Sequence, residues 1–171
     1  MAAGSTYTPI ATYTAGSSVA SYTFSSIPSI YTDLILVASF IGATTAGNSL
    51  ALRVGNSSVD TGSNYSTTFL EGNGSAASST RTTNQTFAYL IGAGISTSTS
   101  TPQTNIVHIM NYANTSTYKT ILNRGGSPDA VLTANVSLWR STSAINTVQI
   151  YIVSENFNTG STFTLYGIAA A

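Results

Sequence analysis

The chain has 171 residues, five basic against five acidic side chains, and no cysteine. That balance gives no long-range field to attract nucleic acid or an anionic membrane, and the missing thiols exclude a disulfide framework, thiolate metal sites and cysteine nucleophiles. Only 6% of residues are charged and nearly a third are Ser or Thr, so packing and backbone pairing must stabilise what reads as one domain over 1–171.

Short runs rich in β-branched and aromatic residues alternate with Gly, Ser, Asn and Thr. No window keeps apolar residues at i, i+3, i+4 and i+7, so the chain is predicted to be all-β. Strands are expected at 7–14, 19–25, 31–41, 50–54, 65–70, 86–91, 105–112, 118–122, 131–139, 148–153 and 162–168. Between the second and third, Pro28 can end one strand and Tyr31-Thr32-Asp33 can start the next, which suggests a hairpin-like pairing. The third strand is apolar at nearly every position after Asp33, as expected of a mid-sheet strand buried on both faces. Leu50-Ala51-Leu52-Arg53-Val54 and Val148-Gln149-Ile150-Tyr151-Ile152 alternate instead, each with one face for the core and one for water or a partner. Segments 72–80 and 94–102 hold almost no bulky apolar side chains and are expected to be surface loops. The closing run Phe163-Thr164-Leu165-Tyr166-Gly167-Ile168 reads as a second mid-sheet strand buried on both sides. The whole set suits an antiparallel β-sandwich, jelly-roll-like in type. Its nearly uncharged edges would have little repulsion between them, which predicts that partner subunits cover them. The longest apolar run, Leu34 to Ala38, is far short of the roughly 20 residues needed to span a bilayer, and no membrane partner is expected.

Reactive chemistry has few candidates. A glycosidase needs two carboxylates at one site, and Asp33, Asp60, Glu71, Asp129 and Glu155 are scattered without a recurring acidic motif. They read as turn-forming or solvated groups. His108 is the only histidine, so any Ser-His-Asp site must use it, yet it lies in a strand-like segment with no G-x-S-x-G, which fits a hydrogen-bonded structural residue. Lys119 is the only lysine and has no phosphate loop around it. Asn56, Asp60 and Asn64 form the best oxygen cluster for Ca²⁺, but one carboxylate is too few and turn chemistry accounts for them. No metal or cofactor is therefore expected. The sequons at Asn56, Asn64, Asn73, Asn84, Asn114 and Asn135 are what a Ser/Thr-rich chain generates by chance. Trp139 is expected to be buried within the chain, and Arg140 beside it could hydrogen-bond across a subunit contact.

Three passages carry a resemblance: Phe24-Ser25-Ser26-Ile27-Pro28-Ser29-Ile30-Tyr31-Thr32-Asp33-Leu34, Leu138-Trp139-Arg140-Ser141-Thr142-Ser143-Ala144-Ile145, and Phe163 to Ile168. From Ile10 to Ile168 the chain resembles small structural proteins and appendage modules of tailed bacteriophages, particularly marine and cyanobacterial ones. The resemblance implies a β-sandwich on the virion exterior, without catalytic residues to carry over. The first nine residues, Met1 to Pro9, have neither the basic nor the apolar region of a secretory signal. That agrees with a virion protein made in the host cytoplasm and released by lysis. The expectation is a non-enzymatic protein whose partners are its own copies, as a homotrimer or another symmetric oligomer, and other virion proteins. Without a heptad stalk, capsid decoration or cement comes first. A tail-fibre or receptor-binding module that contacts host-surface glycans through aromatic rings and Ser/Thr/Asn loops comes second. A glycan-cleaving enzyme comes third and would need its carboxylates clustered.

Overall fold

The computed structural model describes residues 6–42, 48–92 and 100–169. Among them the strands are β1 (Tyr7–Thr14), β2 (Ser21–Phe24), β3 (Asp33–Phe40), β4 (Leu50–Asn56), β5 (Ser58–Val59), β6 (Tyr65–Gly72), β7 (Ala77–Gln85), β8 (Ala88–Ile91), β9 (Gln103–Ile109), β10 (Lys119–Ser127), β11 (Val131–Trp139), β12 (Thr147–Ile152) and β13 (Thr162–Ile168). They make two sheets of antiparallel pairs, one ordered β1-β13-β3-β9-β10-β11-β6-β7 and the other β2-β12-β4-β5, with β8 also pairing β4.

Eight strands carry the jelly-roll order, with β1-β13-β3-β9 in the larger sheet and β2-β12-β4-β8 in the smaller. The chain changes sheet between β1 and β2, between β2 and β3, and between β3 and β4. Consecutive strands thus face each other across the core. The hairpin-like pairing expected for the second and third strands is not formed: β2 pairs β12 and β3 pairs β13 and β9. The Pro28 segment bridges the two layers, which lie about 10 Å apart, and does not turn within one sheet.

Alternation decides what lies between the layers. Leu34, Leu36, Ala38 and Phe40 of β3, Leu50, Leu52 and Val54 of β4, Val107 and Ile109 of β9, Val148 and Ile150 of β12, and Phe163 and Leu165 of β13 join one buried cluster. β3 and β13 do sit mid-sheet, but burial on both faces holds only in part. Ile35 is buried on the outer side of β3, whereas Val37, Thr164, Tyr166 and Ile168 are half-buried. Aromatic rings join the two sheets at one open side, where Tyr13 of β1 stacks on Tyr22 of β2 at 4.0 Å. On the outer face of the smaller sheet Phe87 meets Tyr89 and Tyr151 edge-on, and Arg53 lies over the Tyr151 ring.

Within segment 72–80 only 73–76 are loop. From Ala77 onward the backbone pairs with β6 as an exposed edge strand, so it is a surface element but not a loop. Segment 94–102 lies outside the described residues up to 99. β10 continues well past Leu122 through Gly125 and Gly126, where a Cβ would collide with the Thr104 and Val131 carbonyl oxygens. Glycine lets the neighbouring backbones approach there.

Candidate functional site

The outward face of the eight-stranded sheet is where unexplained chemistry collects. In register, Tyr166, Ile35, His108, Leu122 and Val136 form one row across β13, β3, β9, β10 and β11. Thr164, Val37, Ile106, Arg124, Ala134 and Leu70 form the next row, reaching β6. Period-two alternation puts these side chains opposite the core.

Two regions divide this face. Over β6 and β11, Leu70, Leu132 and Val136 are 60%, 70% and 43% exposed among Ser and Thr neighbours. Leu70 and Leu132 are diagonal neighbours through the Leu70–Ala134 pairing, and Val136 adjoins Leu122. Such contiguous exposed aliphatics on one sheet face mark interaction surfaces more than single exposed leucines do. Over β3, β9 and β10 lies a groove of about 350 Å³, with Ile35, Val37, Ile106 and Leu122 as its apolar lining, His108 among them, and Tyr7 and Arg124 at its margins.

His108 Nε2 is 2.8 Å from Asp33 Oδ2, and the second Asp33 oxygen accepts the Asn111 amide at 2.7 Å. The histidine thus meets an acid 75 residues away in sequence, a pairing that only the β3–β9 register reveals. Among the described residues neither Ser nor Thr lines the groove, and the one hydroxyl there belongs to Tyr7. The Ser-His-Asp constellation needs a nucleophile at the imidazole, and the groove supplies none from a serine or threonine.

The other candidate residues are taken up by the fold. Asp60 accepts the Trp139 indole at 2.7 Å, the Asn64 amide at 2.8 Å and the Gly62 backbone at 2.7 Å. Burial alone would raise its pKa, but these three donors outweigh it and hold the carboxyl below its ordinary value. Of the oxygen cluster weighed for Ca²⁺ and read as turn chemistry, Asp60 and Asn64 bond to each other, while Asn56 reaches the Ala144 carbonyl. Trp139 is buried, as expected. Arg140 donates within the chain, to the Ser63 carbonyl and Asn84.

The remaining carboxylates have separate partners: Glu71 accepts the Gly92 amide, Asp129 the Ser127 hydroxyl and Glu155 the Asn48 amide. Among the described residues no group of three or more His, Asp or Glu could hold a metal ion. Lys119 is fully buried, and its ammonium donates to the Thr117 and Thr142 carbonyls. Burial lowers its pKa. It clamps the segments on either side of β10 and β11.

A larger groove, about 660 Å³, opens between the β6–β7 and β10–β11 turns. Among the described residues its lining is mostly Gly, Pro, Ala and backbone, and the one ionisable group there, Asp129, is bound to Ser127. The smaller groove is richer in recognition chemistry.

No protein-family model matches the chain, and no curated protein matches it. Among solved structures it is similar to an exo-inulinase from Aspergillus awamori, at 18% identity and a TM-score of 0.43. The match covers 95% of this chain and 29% of the inulinase. The jelly-roll assignment therefore rests on the strand order itself.

Proposed function

We propose that the chain is a non-enzymatic structural subunit on the exterior of a tailed-phage virion, most suited to decorating or cementing the capsid. One observation supports it above the others: Leu70, Leu132 and Val136 stand exposed together on a sheet face whose neighbours are Ser and Thr. Apolar area left in water by the chain's own fold is stabilised when a copy or a neighbour covers it, at about 25 cal/mol per Å². Many such contacts repeated over a shell add up without chemistry. The symmetric oligomer and the virion location come from the phage resemblance. Particles lacking the protein should lose resistance to heat and osmotic shock, and unchanged resistance would count against cementing.

A second reading, a receptor-binding module for host-surface glycans, is favoured by the groove beside His108. Its aliphatic lining and polar margins are the mixture that sugar rings require. Binding on a glycan array would support it.

A further inference from the structure

Among the described residues Arg124 is exposed and has no hydrogen-bond or ion-pair partner. The other three arginines are engaged. Arg53 donates to the Thr86 carbonyl and covers Tyr151, Arg81 donates to the Thr68 hydroxyl, and Arg140 binds Ser63 and Asn84. Arg124 instead borders the 350 Å³ groove, one register position diagonally from His108.

A guanidinium presents a planar fork of donors that matches a carboxylate bidentately. The neighbouring carboxylate at the start of β3, Asp33, does not fill that role. Asp33 is held by His108 and Asn111, and it stands about four residues, or roughly 13 Å, along the strand direction from Arg124. The acid and the cation thus lie at opposite ends, with Ile35, Val37, Ile106 and Leu122 between them. Among the described residues His108 gives its Nε2 to Asp33 and has no partner for Nδ1. In the neutral ring that nitrogen accepts a hydrogen bond, as a sugar hydroxyl would donate.

We propose that this groove binds an acidic sugar, a pyranose ring bearing a carboxylate. The carboxylate takes Arg124, a ring hydroxyl donates to His108 Nδ1, and the C–H face of the sugar covers the aliphatic lining. This rests on the glycan-binding reading and narrows it to anionic saccharides. Charge complementarity carries it: the chain is neutral overall, and its one unengaged arginine among the described residues borders this groove.

The test is an NMR titration of the full chain with trigalacturonate, with maltotriose as the neutral match. Trigalacturonate should shift the resonances of Ile35, Ile106, His108 and Leu122, with maltotriose at least about tenfold weaker. Arg124→Gln should weaken trigalacturonate about tenfold, as expected for loss of a charge-assisted pair. Arg53→Gln, on the other sheet, should leave it unchanged. Equal binding of both sugars in the groove, insensitive to Arg124→Gln, would overturn this inference and leave the glycan reading standing. Absence of any groove shift with either sugar would overturn both.

Discussion

Tyr65→Phe removes one hydroxyl from the centre of the molecule, and its cost can be worked through atom by atom. The Tyr65 oxygen accepts the Val54 amide at 3.1 Å and faces the Val54 and Asp60 carbonyls at 3.0 and 3.2 Å as donor. Both Tyr65 and Val54 are fully buried, and burial pushes the phenol far above its ordinary pKa, so it stays a donor. Without the hydroxyl, the Val54 carbonyl still accepts the Asp60 amide at 2.9 Å, but the Val54 N–H is left without an acceptor in the core. An orphaned buried donor costs about 1–3 kcal/mol and the lost donated bond about 1 kcal/mol, for a total of about 2–4 kcal/mol. For a chain of this size that corresponds to a drop in Tm of roughly 5–15 °C. Urea unfolding followed by the fluorescence of Trp139 should show a lower midpoint with an unchanged slope. A loss below about 0.5 kcal/mol would refute the reasoning, because it would mean that the amide finds another acceptor.

Three further outcomes follow from the same structure. Asp60 has a folded-state pKa below its unfolded value, so its contribution is fully present above the unfolded pKa of about 3.9 and is lost as pH falls through the folded one; Asp60→Asn should cost about 1–3 kcal/mol at pH 7 and flatten acid unfolding in that window, as read by urea midpoints at a series of pH values. Lys119 should resist acylating reagents in the native protein and react only on unfolding, so mass spectrometry across a urea series should show labelling that tracks global stability. Gly126→Ala, at φ +145° with a Cβ 1.9 Å from the Val131 oxygen, should cost about 3 kcal/mol or more. Gly74→Ala, at φ +86° with nothing within 4 Å, should cost about 1 kcal/mol; equal costs at the two glycines would contradict the close approach of backbones at β10.

Where side chains record burial, the fold could be read from the residues. Arg53 between Leu52 and Val54, and Gln149 between Val148 and Ile150, alternate in the sequence as they alternate between core and surface. The strand β7 was not legible because its Ala-Ser-Ser-Thr-Arg-Thr-Thr-Asn-Gln run buries almost nothing. Only backbone pairing to β6 makes it a strand. The end of β10 was hidden because Gly125-Gly126 reads as a turn, whereas here it permits close strand packing. The crossing at Pro28 resembles a hairpin because a segment of that length can do either.

The site was less legible than the fold. His108 and Asp33 were each singled out as candidates, but their contact depends on the β3–β9 register, which no local pattern records. Arg124 carries no local signal at all. Its significance lies in its diagonal neighbour on β9 and in the absence of a partner among the described residues, both set by the sheet. Trp139 and Asp60 likewise lie apart in the sequence, although one hydrogen bond joins them across 79 residues.

We propose that this chain works by packing the Leu70, Leu132 and Val136 face against copies or neighbours. Sedimentation velocity of the purified chain beside a Leu70→Ser/Leu132→Ser variant tests it most directly. Because both side chains are exposed, the substitutions should alter monomer stability by no more than about 0.5 kcal/mol each. The parent chain should form a concentration-dependent symmetric oligomer and the variant a monomer, with both unfolding at similar urea concentrations. A parent chain that stays monomeric at every concentration, or a variant that associates as well as the parent, would contradict it.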